Sequence, residues 1–583
     1  MKLKNPFPVW DKKKILVTSL FLAAVLILSI LIGALNITVT ANISGREYSI
    51  DNIVSHNAAI SEKEHSIYDQ EAAEEVRGYI SGALYGYGIE NETITHLPRL
   101  DYNEKTQEFT YPTPKNIYAE IAGTSGVNIL LIAHYDSCPY KIKYGEASEG
   151  SHGAIDDGYG VSVLLELARI YSKEANLKNG IKFAFVDGEE SGLLGSYALV
   201  KEYADWLKDV NFVINVEARG ETGPVYLFQT SDNNEKIIEF YKNAGFPYTF
   251  SIASDVYSML PNDTDLSPFL ENGYAGINLA TLDSLKNYHN QNDVFATIDE
   301  ASLAKYCDTL LPLLDEYAFN SKYSDMNYFY GSQNQLFFTL FPNALVNYSA
   351  TTGWVFFAIT LALIAVTVGL FIWKKKINII KVLISLALDI GLLAALCGIG
   401  FIVALLSCAV CGVNYHFMFV IGVPADVGLM IAFIVISIAA VVVCTLLKRK
   451  LNITYLEMST GALIFNGILS IVCAAVLFGG TFIFVIPALI FGLGALTAFI
   501  KNDKIKTPVA GTVTAVGSLF MLSFYVSLIY SLYLSLTFGA LGLLLVFAAI
   551  PFMLCLPPAF DFYGKETQIK TPVSERDNKE AAV

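Results

Sequence analysis

Eight apolar stretches, each close to twenty residues long, constrain this chain more than any other feature of its sequence. A helix of about twenty apolar residues is long enough to cross the hydrocarbon core of a bilayer. The sequence therefore predicts one membrane span near the N-terminus and seven more in its C-terminal part. The predicted spans are 15–35, 354–373, 382–407, 425–447, 459–478, 481–500, 510–530 and 536–556.

Basic clusters beside these spans predict their orientation. Three lysines at 12–14 precede the first span, and further basic clusters follow at 374–376, 448–450 and 501–506. Because Lys and Arg collect on the cytoplasmic side of a membrane, we expect both termini in the cytoplasm. No strong cleavage site follows the first span, which predicts an uncleaved signal anchor. The block after the anchor is then extracytoplasmic, meaning extracellular or lumenal.

These boundaries predict six segments. They are a cytoplasmic N-terminus (1–14), the transmembrane signal anchor (15–35), an extracytoplasmic domain (40–325), an aromatic interfacial connector (326–353), an all-α membrane domain of about seven helices (354–557) and a cytoplasmic tail (558–583).

The extracytoplasmic block is acidic, with 44 acidic and 20 basic side chains in residues 41–330. This balance argues against nucleic acid as a partner, because nucleic acid is bound through Lys and Arg. Only Cys138 and Cys307 of the eight cysteines lie in this block, so we predict no disulfide framework. The sequence leaves oligomerisation open.

Three short apolar runs in the acidic block, 127–133, 181–186 and 212–216, are typical of strands buried on both faces of a parallel sheet. The segments between them carry apolar residues at helical spacing. The resulting βαβαβ pattern predicts an α/β sandwich.

Five islands of acidic and histidine residues lie in this domain, and three of them follow a predicted strand. In open α/β sheets, sites form at the carboxyl ends of the strands, so we expect the islands to converge. Zinc accepts His nitrogen and carboxylate oxygen, and a two-zinc site needs two histidines, several carboxylates and one further carboxylate as a base. The islands are His134-Tyr135-Asp136, Asp156-Asp157, Glu189-Glu190, Glu217 and Tyr288-His289.

The islands resemble those of the di-zinc exopeptidases related to bacterial leucyl aminopeptidase and glutamate carboxypeptidase, over about residues 110–300. The segments NVEARG at 215–220 and LPNDTD at 260–265 resemble a membrane-anchored branch that includes the endoplasmic reticulum metallopeptidases and vacuolar membrane proteases. The resemblance implies a zinc-aminopeptidase-like three-layer α/β sandwich with a mixed, mostly parallel sheet, beside a C-terminal all-α membrane domain.

The resemblance also implies a ligand set for two Zn2+ ions. His134 and Glu217 would bind one ion, and Glu190 and His289 would bind the other. Asp156 would bridge the two. Many soluble relatives have Asp where this chain has Glu217, and the longer side chain resembles the membrane-anchored branch.

Two catalytic residues follow from the same resemblance. Glu189 would be the general base, which carries a proton from the attacking water to the leaving amine. Asp136 would orient the ring of His134 without binding metal.

Six further residues are candidates for contact with substrate. The acidic ones could hold the α-amine of a peptide, although turn formation is slightly favoured for each of them taken singly. A tyrosine could polarise the peptide carbonyl, and the arginine could bind a substrate carboxylate or brace the loop after Glu217. The candidates are Arg219, Asp255, Tyr257, Asp263, Asp265 and Tyr288.

We therefore expect a membrane-bound, zinc-dependent exopeptidase, an aminopeptidase that hydrolyses peptides outside the cytoplasm. One alternative is a non-catalytic receptor or complex subunit on a peptidase fold. Another is a transporter with an attached peptidase domain, because Asp389 lies inside a predicted span and intramembrane carboxylates are often functional. A hydrated Asp389, or one that pairs with Lys381, explains the residue at least as well. His152 is predicted to lie at a pocket rim or on the surface, and the chemistry requires no thiol from Cys138.

Overall fold

The computed structural model describes residues 12–98, 112–139, 141–143, 146–148, 150–260 and 262–563. Residues 1–11 of the predicted N-terminus and 564–583 of the predicted tail lie outside the described residues, as does Pro261.

The strands of the described chain fall in the acidic block and in the predicted connector. They are β1 (Asn91–Thr95), β2 (Lys115–Ile121), β3 (Asn128–His134), β4 (Lys141–Lys143), β5 (Glu146–Ser148), β6 (Gly180–Val186), β7 (Val210–Ala218), β8 (Tyr226–Thr230), β9 (Tyr248–Thr249), β10 (Gly276–Thr281), β11 (Gln335–Phe341) and β12 (Ala344–Ser349).

The α-helices divide into those of the acidic block and those of the apolar segments. The first set is α2 (Ile50–Ile60), α3 (Gln70–Gly86), α4 (Gly158–Tyr171), α5 (Leu194–Glu202), α6 (Glu235–Tyr241), α7 (Ser251–Tyr257), α8 (Ser267–Glu271) and α9 (Glu300–Phe319). The second set is α1 (Lys12–Thr38), α10 (Ala350–Trp373), α11 (Ile379–Cys411), α12 (Asp426–Lys450), α13 (Tyr455–Val476), α14 (Phe482–Ala495), α15 (Asp503–Leu536) and α16 (Leu541–Tyr563).

Eight strands form one mixed sheet in the order β1-β2-β6-β3-β7-β10-β8-β9. The central strands β6, β3, β7 and β10 run parallel to one another, and each is buried along its whole length. Because these strands are covered on both faces, their sequences read as continuous apolar runs.

Alternate residues of β3 show the three layers. Ile129 and Leu131 pack in the same cluster as Leu164 of α4, whereas Leu130 and Ile132 pack in a separate cluster with Leu199 of α5. Successive side chains of a strand point to opposite faces, so helices cover both faces of the sheet. The predicted α/β class and mixed, mostly parallel sheet are confirmed.

Eight helices in the described part of the chain are long and apolar enough to cross a membrane, judged by length and composition. They overlap the eight predicted spans one for one. The predicted interfacial connector contains the antiparallel hairpin of β11 and β12, and α10 begins immediately after it.

The α/β domain and the helical domain share one hydrophobic core. The Phe338 ring of β11 stacks on Phe482 of α14 with centroids 4.7 Å apart and meets the edge of Phe524 of α15 at 5.2 Å. Phe250, at the edge of the large sheet, contacts Phe524 at 5.9 Å. This apolar contact holds one face of the sheet domain against the helices.

Asp389, which lies inside a predicted span, has a different partner from Lys381. Its Oδ1 accepts from Lys448 Nζ at 2.6 Å, which joins α11 to α12, and both side chains are buried. Lys381 instead donates to the backbone oxygen of Asn452 at 2.6 Å. Spacing along one helix favoured Lys381, but the actual pair depends on how two helices pack.

Removing Lys448 should destabilise the helical domain. Lys448→Met leaves Asp389 buried without its cation, which costs about 3–5 kcal/mol, so the unfolding midpoint of the detergent-solubilised protein should fall. Adding Asp389→Leu should recover most of the loss. Lys381→Met is the matched control and should change stability by less than about 0.5 kcal/mol. Equal effects of the two lysine substitutions would contradict the assigned pair.

Candidate metal centre

The five predicted islands meet at the carboxyl edge of the parallel strands. His134 is the last residue of β3, and Glu217 is the last but one of β7. Asp156 lies in the loop before α4, and Glu189 and Glu190 follow β6. A left-handed turn at Gly188, with φ of 75°, leads the chain from β6 towards Glu189.

A first group of metal-ligand atoms comes from His134, Asp156 and Glu217. His134 Nε2 lies 3.2 Å from Asp156 Oδ1 and 3.7 Å from Glu217 Oε2. One donor atom from each residue lies within 4.8 Å of the others, and all three residues are buried. These are the histidine and carboxylate ligands that zinc accepts.

A second group lies on the other side of Asp156. His289 Nε2 lies 2.8 Å from Glu190 Oε1 and 3.1 Å from Asp156 Oδ2. That Oδ2 atom makes no hydrogen bond of good geometry despite the short distance. Asp156 therefore presents one oxygen to each group, as a carboxylate between two cations does.

Cys138 is a member of the second group that the sequence interpretation set aside. Its Sγ lies within 4.8 Å of donor atoms of Glu190 and His289. Its position four residues after His134 was the available signal, but it did not show that the side chain turns towards the second group.

Asp136 braces the loop that carries the two glutamates. Its Oδ1 accepts from the backbone N–H of Glu189 at 3.0 Å, and its Oδ2 accepts from that of Glu190 at 3.3 Å. The same carboxylate lies 3.5 Å from His134 Nδ1, which is closer, at 2.9 Å, to the backbone oxygen of Asp136. Asp136 thus positions the loop of Glu189 and Glu190 and also lies beside the ring of His134. The sequence suggested only that it orients His134.

Burial and mutual repulsion disturb the titration of this acidic centre. Burial raises the pKa of Glu217 to about 8, and the charges of Asp156 and Asp265 add to the rise while His134 opposes it. Burial lowers the pKa of His289, but Glu190 and Asp156 outweigh it and raise that pKa to about 9. Protons are therefore retained among crowded carboxylates, where a divalent cation would replace them. The donor set thus fits zinc.

Asp293 and Asn215 support the centre and were not predicted. Asp293 is fully buried and accepts from the backbone N–H of Ile155 at 2.7 Å and of Asp156 at 3.3 Å. Asn215 donates to Glu217 Oε1 at 3.1 Å. The only sequence signals for these two residues were their positions. Asp293 lies four residues after His289, and Asn215 lies two residues before Glu217 on the same strand.

Three of the predicted substrate residues lie beside the centre. The Tyr288 ring stacks on His289 with centroids 3.7 Å apart, and the Arg219 guanidinium lies 5.1 Å from the Tyr288 ring centre. Burial raises the pKa of Tyr257, and the charges of Glu217 and Glu189 raise it further, which places Tyr257 near them.

The other predicted residues have different surroundings. Asp265 is buried and accepts from the Ser196 hydroxyl. Asp263 is exposed. Asp255 accepts from the backbone N–H of Gly479 at 2.6 Å, a contact with the helical domain rather than with the centre. His152 has its Nδ1 3.1 Å from the backbone oxygen of Ser61 and belongs to neither ligand group.

The sheet and its acidic centre together define a metallopeptidase-type domain, and a family comparison agrees. Residues 116–314 match the family model described as Peptidase family M28. Residues 116–314 are therefore similar to Peptidase family M28 and lie next to several apolar helices, as the resemblance in the sequence implied.

The curated relatives of this domain are a protease and a metallopeptidase by name, and the first is named a membrane protein. The vacuolar membrane protease of Candida dubliniensis is 27% identical over 249 residues, which cover 40% of this chain and 25% of the relative. "Putative endoplasmic reticulum metallopeptidase 1" of Schizosaccharomyces pombe is 29% identical over 264 residues, which cover 44% of this chain and 30% of the relative. The matched region is therefore less than a third of either relative's length.

Solved structures resemble the fold at low sequence identity. An aminopeptidase from an Aneurinibacillus strain gives a TM-score of 0.38 at 14% identity, covering 48% of this chain and 96% of its own. A glutaminyl cyclase from Porphyromonas gingivalis gives 0.37 at 20% identity, covering 46% and 99%. These likenesses concern the fold alone.

Zinc binding to the metal-free protein should release protons. The pKa values of about 8 for Glu217 and about 9 for His289 mean that both groups hold protons at neutral pH, and a metal must displace them. Apparent zinc affinity should therefore rise with pH up to about 9, most steeply below about 8 where both groups release a proton, by roughly tenfold per pH unit for each proton released. Competition with a chromogenic zinc chelator at several pH values measures this. An affinity that does not change with pH would contradict the site.

Proposed function

We propose that this protein is a membrane-bound, zinc-dependent exopeptidase that acts as an aminopeptidase on peptides outside the cytoplasm. The observation that carries the proposal is Asp156, which faces His134 with one oxygen and His289 with the other. The family match supports the broader statement, a membrane metallopeptidase.

Two zinc ions are proposed, with Asp156 between them. His134 and Glu217 complete the first set of ligands, and Glu190 and His289 complete the second. When bound, zinc supplies an activated water and polarises the peptide carbonyl.

Glu189 is the proposed general base. Asp136 holds its backbone N–H, and its neighbour Glu190 belongs to the second ligand group. Burial raises the pKa of the Glu189 carboxyl well above its usual range, and the nearby Glu217 and Glu190 add to the rise while His134 opposes it. A carboxylate with this affinity for a proton can take one from the attacking water and pass it to the leaving amine.

An aminopeptidase is proposed because the surroundings favour a cationic group. Glu189, Asp265 and Glu217 bring three carboxyl groups together at the centre, where they can accept hydrogen bonds from a substrate amine. A protonated α-amine that enters this cluster of carboxyl groups would be attracted to it. Tyr257 and the exposed Asp263 lie on the same segment of the chain as Asp265.

The proposed topology keeps the boundaries expected from the sequence. In this proposal one anchor precedes the peptidase domain and about seven spans follow it, and the basic clusters favour a cytoplasmic position for both termini. The peptidase domain would then be lumenal or extracellular. The names of the relatives point to the vacuolar membrane for one of those proteins and to the endoplasmic reticulum for the other.

Glu189→Gln should separate metal binding from catalysis. The amide keeps the size of the side chain but cannot accept the proton, so hydrolysis of aminoacyl reporters should fall by roughly 10²- to 10⁴-fold. Zinc measured by elemental analysis should stay near two ions per chain.

Glu47→Gln is the matched control, because Glu47 is an exposed glutamate of the same domain, and its activity should match the wild type. Full activity in Glu189→Gln would remove the role given to Glu189. Absence of zinc from the purified wild type would favour a non-catalytic protein on this fold.

Cys138→Ser should keep both zinc ions. A catalytic zinc has three protein ligands and an open position, and Asp156, Glu190 and His289 already supply three. The cobalt-substituted wild type should therefore show no near-ultraviolet sulphur-to-cobalt absorption. A band that disappears in Cys138→Ser would instead make Cys138 a fourth ligand and close the second site.

A further inference from the structure

A loop of the helical domain reaches the candidate active site. This loop, residues 412–425, joins α11 to α12. The Phe419 ring lies 6.1 Å from the Tyr288 ring in an edge-on contact, and Tyr288 in turn stacks on His289. Phe419, which lies between two predicted spans, thus contacts Tyr288, and Tyr288 contacts the candidate metal ligand His289.

The same phenylalanine covers Arg219. The Arg219 guanidinium lies 5.0 Å from the Phe419 ring centre and 5.1 Å from that of Tyr288, so it contacts an aromatic ring from each domain. Such contacts hold a cation in place without neutralising it.

Arg219 has no acidic partner among the described residues. No carboxylate there lies within ion-pair distance of its guanidinium, and its buried Nε atom has no hydrogen-bond partner. The nearby Glu221 pairs with Lys286 at 3.4 Å. Arg219 lines a narrow cavity, which has no room for a water molecule in this structure, together with Asp156, Glu221 and Tyr288. An unpaired cation in an otherwise anionic centre is suited to an anionic group of a ligand.

A second contact fixes the helical domain beside this cavity. Tyr530 of α15 donates to Asp283 Oδ2 at 2.6 Å, and Asp283 lies in the segment between β10 and Tyr288. The helical domain therefore contacts the segment that carries Tyr288 through Tyr530, and it contacts Arg219 through Phe419.

We propose that loop 412–425 forms the outer wall of the substrate cleft, and that Arg219, held between Tyr288 and Phe419, binds the free C-terminal carboxylate of a short peptide. This rests on the proposed exopeptidase function. One residue of extended chain spans about 3.3–3.6 Å, and a single ring separates Arg219 from His289. The carboxylate therefore belongs to a residue one or two positions beyond the scissile bond, which makes dipeptides and tripeptides the preferred substrates.

The test compares leucylglycine with leucylglycinamide as substrates of the full-length protein in detergent micelles. The amide lacks only the terminal charge. Hydrogen bonds to a charged group are worth enough to give the wild type a kcat/KM roughly ten- to a hundredfold higher for the acid. In Arg219→Gln this ratio should fall to near one, chiefly through a higher KM for the acid.

Phe419→Ala should lower the same ratio by about two- to twentyfold, because Arg219 loses one of its two aromatic contacts. Phe419→Leu keeps the apolar bulk and should also lower it. Phe417→Ala is the matched control: Phe417 lies in the same loop, is 47% exposed and should leave the ratio unchanged. Zinc content near that of the wild type verifies that each variant is folded.

A wild type that hydrolyses acid and amide equally well overturns this inference and leaves the proposed function in place. A ratio that falls equally in Phe417→Ala and Phe419→Ala overturns the role of Phe419. A zinc-loaded wild type that hydrolyses neither peptide overturns the proposed function and this inference with it.

Discussion

The position of the Asp156 carboxylate is the constraint on which the rest of the centre depends. A buried carboxylate needs cations or hydrogen-bond donors around it, and Asp156 has a histidine on each side. Asp293 fixes the backbone beside it through two N–H groups. The parallel strands bring His134 and Glu217 to the same edge, and the loop after β10 brings His289. The three-layer fold is what allows this loop, two strand ends and the turn before α4 to meet around one side chain.

Much of this arrangement could be predicted from the sequence, because it depends on local patterns. Strands β3, β6 and β7 are buried on both faces, so they appear as continuous apolar runs and were located correctly. His134 and Glu217 stand at or next to the ends of such runs, which made their convergence a consequence of sheet geometry. The eight long apolar helices were equally visible from length and composition.

The remaining features depend on contacts between distant segments, which local patterns do not show. Asp389 pairs with Lys448 across two helices, although Lys381 lies nearer in sequence. Asp255 was placed at the cleft but contacts Gly479 of the helical domain. The backbone N–H groups of Glu189 and Glu190 donate to the Asp136 carboxylate. This contact depends on the folded turn and leaves no local pattern in the sequence. Phe419 carried no chemical signal at all, since a lone aromatic residue between spans is ordinary.

The aromatic contact of Phe338 with Phe482 and Phe524 has a consequence for the cooperativity of the whole molecule. Phe250 and Tyr248 belong to the same buried cluster, so cutting the chain before α10 would leave a broad apolar face of the sheet domain in water. Surfaces of that kind drive self-association. We therefore expect the domain with the metal centre and the helices behind it to unfold together, because they share this apolar contact.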